Sequence, residues 1–266
     1  MALKNSVEEG RYLYCIVKSG KETDFRQVGI EDNIAYIVPF NEIGAVVHSC
    51  EAKPYITKDK KKAGEWILAH QYVIDLASEE FGIVIPLTFD TIIGGGDETV
   101  KQWLREEYNQ LKTYLDKLEG KAEYGIQIFI DKELFEKSVL ESTEFQDLKK
   151  ELERKSEGAA YLIKKKIEKR VEIEERKIVE KHAKIFHDKI KGLVDEVRLE
   201  SVDRGVPEKW KNKQMILNLS CLARKGDIKP LGEMLNEING EKGFAVRFTG
   251  PWPPYSFVGD IKRKER

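Results

Sequence analysis

What the chain has little of narrows its function first. Its 266 residues include 3 Cys. Cys15, Cys50 and Cys221 lie far apart in apolar, strand-like sequence, so they spell out neither a disulfide framework nor a metal cluster. Histidine is scarce, with 4 residues. His182 and His187 are five apart, about 140° around a helix, and do not converge on a metal. His48 and His70 have no sequence-adjacent carboxylate to orient them, and each histidine is expected to be structural or solvated. Neither charge dominates: 46 Lys and Arg face 47 Asp and Glu, a formal net charge of -1. No global field therefore favours nucleic acid or an anionic membrane. No apolar run approaches the roughly 20 residues that span a bilayer, and the opening MALKNSVEEGRYLYCIV lacks a basic region followed by a long apolar stretch. The expectation is a soluble, cytoplasmic protein.

Catalytic signatures are missing as well. There is no G-x-S-x-G elbow, no H-E-x-x-H and no Cys/His nucleophile setting. Carboxylates are abundant but sit among lysines on helix faces, the pattern of a solvated surface. The stretch IIGGGDETV (Ile92 to Val100) joins a strand to a helix start, a place where backbone N–H groups can cradle phosphate. No Lys-Ser/Thr pair follows it, its spacing is not G-x-G-x-x-G, and Asp97 and Glu98 would repel phosphate. It reads as a strand-to-helix loop with Asp97 as the helix cap. The chain is expected to be non-enzymatic, with no cofactor and no metal.

What is present is a repeated grammar of strands and helices. YLYCIV (Tyr12 to Val17), IAYIVPF (Ile34 to Phe40) and IGAVVHS (Ile43 to Ser49) are β-branched and aromatic runs, the last two a hairpin about Asn41. Between Lys58 and Glu80, Trp66, Ala69, Val73 and Leu76/Ala77 recur at helical spacing. The strand GIVIPLTF follows, then a helix running to Leu118 and closed by Gly120. The second block runs strand Ala122 to Ile130, a long helical region, strands DEVRLES and QMILNLSCLA, helix Ile228 to Ile238 and strand FAVRFT. That order, strand, helix, strand, strand, helix, strand, is the split βαβ grammar of ferredoxin-like sheets. The first block fits it if its first helix has shrunk to the segment around Thr23 to Gln27. The fold class is thus α+β, with two domains, each a ferredoxin-like or modified ferredoxin-like sheet with packed helices. Residues 1–120 form the first domain and residues 121–266 the second, which also carries a long charged helix at about 158–192 and a proline-aromatic tail. On that helix Ala160, Ile163, Ile167, Val171, Ile178 and Ile185 form one narrow apolar face, and the other faces are Lys, Arg and Glu.

Ferredoxin-like sheets can bind RNA through strand aromatics and a basic rim. Tyr124 and Phe129 are such aromatics, and KKKIEKR (Lys164 to Arg170) is the densest basic cluster, but the sequence lacks an RNP signature and EIEE follows the cluster directly. An RNA-binding module is the alternative function.

Five separated segments, in order, carry a family resemblance: IPLTFDTII (Ile85 to Ile93), LEGKAEYGIQIFID, GAAYLIKKK (Gly158 to Lys166), LNLSCLARKGDI (Leu217 to Ile228) and TGPWPPYSFV (Thr249 to Val258). Together they resemble the GvpF/GvpL family of gas vesicle proteins. The triple glycine Gly94 to Gly96 departs from the family's usual loop. The resemblance implies a cytoplasmic accessory protein that assembles gas vesicles, hollow protein shells that give cells buoyancy. It also implies two α+β domains and, as partners, the main shell protein GvpA and other accessory proteins, with neither nucleic acid nor membrane. Its most specific motif is Gly250, Pro251, Trp252, Pro253, Pro254 and Tyr255. The prolines fix φ and remove backbone donors, so Trp252 and Tyr255 sit on stiff backbone. They serve either as a structural corner or as an exposed contact for a partner.

Overall fold

The computed structural model describes residues 8–25, 27–142, 145–146, 157–202 and 208–259. Their fold is α+β, with five helices and two antiparallel sheets among the described residues. Two compact units divide the chain: Met1–Glu123 together with Pro251–Arg266, and Tyr124–Gly250.

In the first unit, β1 (Glu9–Val17), β2 (Tyr36–Phe40), β3 (Ile43–Glu51) and β4 (Val84–Pro86) lie in the order β2-β3-β1-β4, and β5 (Ile92–Gly94) pairs with β1 beyond β4. β2 and β3 form the expected hairpin, with Asn41 at φ 53 in its turn. That left-handed conformation suits the short, polar Asn side chain. Nearly every residue of β1 is buried, so both faces of the strand are covered. A bulge explains how its side chains are shared out. Leu13 pairs with Val47 and Cys15 with Val46, leaving Tyr14 as the extra residue. Tyr12, Tyr14, Cys15 and Val17 consequently enter one core cluster with Trp66, Val73, Ile74 and Ala77 of α1 (Lys60–Phe81). A regular alternation would have sent Cys15 and Val17 to the opposite face. α1 begins at Asp59, whose carboxylate accepts from the Lys61 and Lys62 N–H groups. The segment around Thr23 to Gln27 forms no first helix among its described residues. Asp24 bridges to Tyr36, and the Ile37 N–H donates to the Thr23 carbonyl. Extended backbone there completes the β2 edge, which a helix would leave unpaired.

α2 (Asp97–Leu118) packs against β1, β2 and β3. Its N-cap is Gly96, and Asp97 is its first residue, not its cap as expected. The Asp97 carboxylate is drawn away by a stronger partner. It accepts from Arg11 Nε at 2.6 Å and from the Tyr36 hydroxyl at 2.8 Å. A charge-assisted bond to a buried guanidinium outweighs a cap bond to a neutral N–H.

In the second unit, β6 (Lys121–Asp131) leads to α3 (Lys132–Leu140) and to the long α4 (Glu157–Lys191). Then come β7 (Glu196–Leu199), β8 (Lys213–Arg224), α5 (Lys229–Gly240) and β9 (Phe244–Trp252). The sheet order is β7-β8-β6-β9. Numbering each sheet's strands from its own first strand, with β4 as the fourth of the first sheet, both read 2-3-1-4. α5 presents Leu231, Leu235 and Ile238 inward at helical spacing. α4 packs against α3 and β8. Val171 is buried with Val139 and Phe145, while Ile167 and Ile178 pack beside them. Of the expected stripe, Ile185 is exposed and the Ala160 side chain lies outside the described residues.

β9 runs three residues beyond FAVRFT, through Gly250 and Pro251 to Trp252, and a 3-10 turn follows at Tyr255–Phe257. The tail beyond Gly250, expected in the second domain, belongs to the first unit. Tyr255 and Ser256 find their partners there.

Candidate functional site

The proline-aromatic motif divides into two parts. Gly250, inside β9, sits at φ 116, a conformation that L side chains rarely adopt. Pro251 and Trp252 are exposed, with Trp252 48% accessible. Pro253 and Pro254 are buried. The Tyr255 hydroxyl donates to Gln71 Oε1 of α1 at 2.9 Å, and its ring packs against the first unit's core. Burial pushes its phenol pKa up. Ser256 then donates both its N–H and its hydroxyl to the Glu123 carboxylate, each at 2.7 Å. Phe257 follows with 1% exposure. The second part is therefore a seated corner and Trp252 is not, a distinction that a count of aromatic residues cannot make.

Beneath that corner is a network of tyrosines and histidines that sequence reasoning did not find. The Asp90 N–H donates to Tyr12 Oη at 3.0 Å, and Tyr12 Oη lies 2.9 Å from His70 Nδ1. His70 Nε2 is 3.1 Å from the Leu87 carbonyl. A carbonyl only accepts, so His70 carries its proton on Nε2 and receives the Tyr12 proton at Nδ1. A parallel chain links the Ile30 N–H to Tyr14 Oη at 2.9 Å, Tyr14 Oη to His48 Nδ1 at 2.7 Å, and His48 Nε2 to Tyr55 Oη at 2.9 Å. The Asp90 carboxylate accepts from the Tyr55 N–H at 2.9 Å, with Asp90 itself at φ 68. Tyr12 stacks on His48 with ring centroids 5.0 Å apart, and Phe89 and Trp66 close the edges. Burial pushes both His48 and His70 down to about 4 and raises Tyr12, Tyr14 and Tyr55 above the ordinary phenol value. Both histidines are thus neutral at pH 7, and each ring nitrogen has a partner. This is the arrangement of a structural lattice, not of a base poised at a substrate.

The second polar cluster is ionic. Arg11, buried on β1, bonds Asp97, Glu9 Oε1 at 2.8 Å and the Gly10 carbonyl at 3.1 Å. Burial opposes the Arg11 charge, but Asp97 and Glu9 more than offset it and hold its pKa above the ordinary value. Asp97, which burial alone would raise, is held low by Arg11 and Tyr36. The cluster ties β1, β2 and the start of α2 together beside Gly94, Gly95 and Gly96. It leaves a carboxylate at the helix start, where a phosphate would need cations.

The strand aromatics proposed for RNA stacking are not available for it: Tyr124 and Phe129 are both buried. Phe129 packs under Trp210 and Tyr124 under Phe248. His182 is half-buried against Phe135, Phe186 and Phe244, and His187 lies beside Asp188. No group of three or more His, Cys, Asp or Glu among the described residues could hold a metal ion. No helix among them is long and apolar enough to cross a membrane.

The profile of the family described as Gas vesicle synthesis protein GvpL/GvpF matches residues 10–259. The chain belongs to this GvpL/GvpF family. It is 31% identical to Gas vesicle protein L1 of Halobacterium salinarum over 263 residues, covering 97% of this chain and 93% of that protein. Gas vesicle protein L of Haloferax mediterranei is 30% identical over 291 residues, covering 97% and 90%. The fold is similar to the crystal structure of the gas vesicle protein GvpF from Anabaena sp. PCC7120, with a TM-score of 0.72, 21% identity, and coverage of 94% of this chain and 98% of that one. The GvpL/GvpF match ends at Gly259, so it includes the seated corner and the exposed Trp252.

Proposed function

We propose that this chain is a non-enzymatic accessory protein of gas vesicle assembly, acting in the cytoplasm and at the vesicle. It binds the main shell protein GvpA and other vesicle proteins, and by doing so nucleates or chaperones the shell. The observation that carries this reading is the family match over residues 10–259. The physical reason is general: a shell subunit buries its apolar surface only on assembly, and until then a soluble partner keeps that surface from aggregating.

The first unit offers apolar surface for this task. On α1 the buried residues Trp66, His70, Val73, Ile74 and Ala77 define one face. Leu68 points the opposite way with 70% exposure, and Ile67 and Tyr72 are also more than half exposed. Leu68 and Tyr72 are neighbours at i,i+4. Trp252 adds an exposed indole in the same unit. We read the hydrogen-bonded lattice below as the support that keeps α1 and the tail rigid while this surface stays uncovered.

Co-expression with GvpA tests the reading. An affinity tag on this chain is expected to retain GvpA and to raise its soluble fraction. A double variant, Leu68→Ser with Tyr72→Ser, is expected to fold and to lose much of that retention. GvpA that stays insoluble and unretained beside the folded wild-type chain overturns the proposal.

A further inference from the structure

The strongest unassigned feature is the outward face of α4. At 100° per residue, positions 162, 166, 169, 173, 177, 180, 184, 187 and 191 fall on one side of the helix. That side lies opposite Val171, Ile178, His182 and Phe186, which pack inward. Its charge is nearly all of one sign. Lys166, Lys169, Lys177, Lys184 and Lys191 project there, and Glu180 is the one carboxylate among those positions. Lys177 is paired with Glu174 at 2.7 Å, and Glu180 with Arg176 at 2.9 Å. Lys166, Lys169, Lys184 and Lys191 make no ion pair among the described residues. Two large apolar side chains break the row: Leu162, 69% exposed, and Ile173, 45% exposed. A shallow hollow of about 330 Å³ lies at Ile173, bordered by Lys166, Lys169, Arg170 and Lys177 and by one carboxylate, Glu174, which is paired with Lys177.

This pattern is unusual because the helix is not short of acid. Glu168, Glu172, Glu174 and Glu175 all lie off the row, so the positive excess of the helix sits on its outward side: five lysines against one glutamate there, and six basic against six acidic residues at its other positions. Positions recurring at three and four residues trace a straight seam, the line along which a second helix lies against a first. From residue 162 to 191 the seam is roughly 44 Å long. We propose that it docks an acidic amphipathic helix of a partner protein, with carboxylates meeting the lysine row and apolar side chains seated on Leu162 and at the Ile173 hollow. A nucleic acid has no use for the two apolar residues, because its contacts to such a row are to phosphate. A bilayer surface calls for a continuous apolar face, which two residues 11 apart do not make. The inference rests on the charge pattern of α4 and is independent of the vesicle role proposed above.

The test uses the whole chain and a fluorescent helical peptide of glutamate, alanine and leucine repeats, titrated by anisotropy. Binding is expected to weaken steeply between about 50 and 300 mM salt. It is also expected to fall at least roughly tenfold in Lys166→Glu with Lys169→Glu, and several-fold in Ile173→Ser, with circular dichroism unchanged. Three outcomes overturn the proposal: no binding of the peptide, equal binding of a poly-glutamate that lacks leucine, or tighter binding of duplex DNA or phosphatidylserine vesicles. If the glutamate substitutions disturb folding, Lys166→Gln with Lys169→Gln gives the same reading with a smaller fold-change, and unchanged affinity in that variant overturns it equally.

Discussion

The two sheets share a strand order but keep their interiors by different means. In the first unit, three tyrosines and two histidines converge on the core with hydroxyls and ring nitrogens bonded to one another and to loop backbone. In the second, the core around β6 and β9 is aliphatic and phenylalanine-based, with Phe186 against Phe244 and Phe129 against Trp210. A polar lattice fixes geometry, because each bond is directional and a missing partner leaves a buried group unsatisfied. Apolar packing tolerates adjustment at fixed volume. The first unit is thus built to hold one geometry for α1 and the tail. The second presents a long helix whose outward side chains can be replaced without disturbing its core.

The comparison can be broken most directly at the tail. Phe257→Ala is expected to cost about 3–5 kcal/mol in unfolding of the first unit, the range for a buried phenylalanine. Urea titration followed by tyrosine and tryptophan fluorescence measures it. An effect near zero would show that the corner rests on the first unit without supporting it.

Acid sharpens the contrast next. His48 and His70 titrate at about 4 when folded and near 6.5 when unfolded. Between these values the unfolded chain binds protons that the folded chain does not, so stability is full above about pH 6.5 and falls as pH drops toward 4. The loss is on the order of 3 kcal/mol per histidine. Asp97 and Glu31, both held low, add their own loss only below the ordinary carboxylate range. Melting temperature against pH should therefore decline first over the histidine window. His70→Gln should flatten that decline while lowering stability at pH 7.

Tyr14→Phe removes one oxygen and orphans both the Ile30 N–H and His48 Nδ1, an expected cost of about 2–3 kcal/mol. Phe186→Leu in the second unit keeps the interior apolar and should cost less, about 1–2 kcal/mol. Hydrogen exchange, which reports each unit separately, distinguishes the two. At the small end, Trp252→Ala should change stability by less than about 1 kcal/mol, since the side chain is half exposed, but should weaken retention of the shell protein. A stability loss as large as that of Phe257→Ala would make Trp252 part of the corner.

Much of this was legible in the chain. The β2-β3 hairpin, α1, α5 and the full extent of α4 follow from periodicities of 2 and 3.6, and Asn41 marked its turn. The network was not legible, because Tyr12 and His70 are 58 positions apart and His48 and Tyr14 are 34. Local pattern carries no record of such partners. The bulge at Tyr14 adds a second obstacle, since one extra residue reverses the alternation that assigns side chains to faces. Asp97 shows the same limit on a smaller scale: its position before a helix is the signature of a cap, and a buried arginine 86 residues earlier takes its carboxylate instead. For the candidate site, the motif at 250–255 was visible as prolines and aromatics. Its division into a seated Tyr255 and an exposed Trp252 depends on where Gln71 and Glu123 lie, and spacing does not encode that.

The measurement closest to the central claim is vesicle formation in cells that carry a complete gas vesicle gene set except for this chain. Those cells are expected to lack vesicles and to sink. Restoring the full chain should return flotation, and restoring the Leu68→Ser, Tyr72→Ser variant should not. Normal vesicles in the absence of the chain would contradict the assembly role.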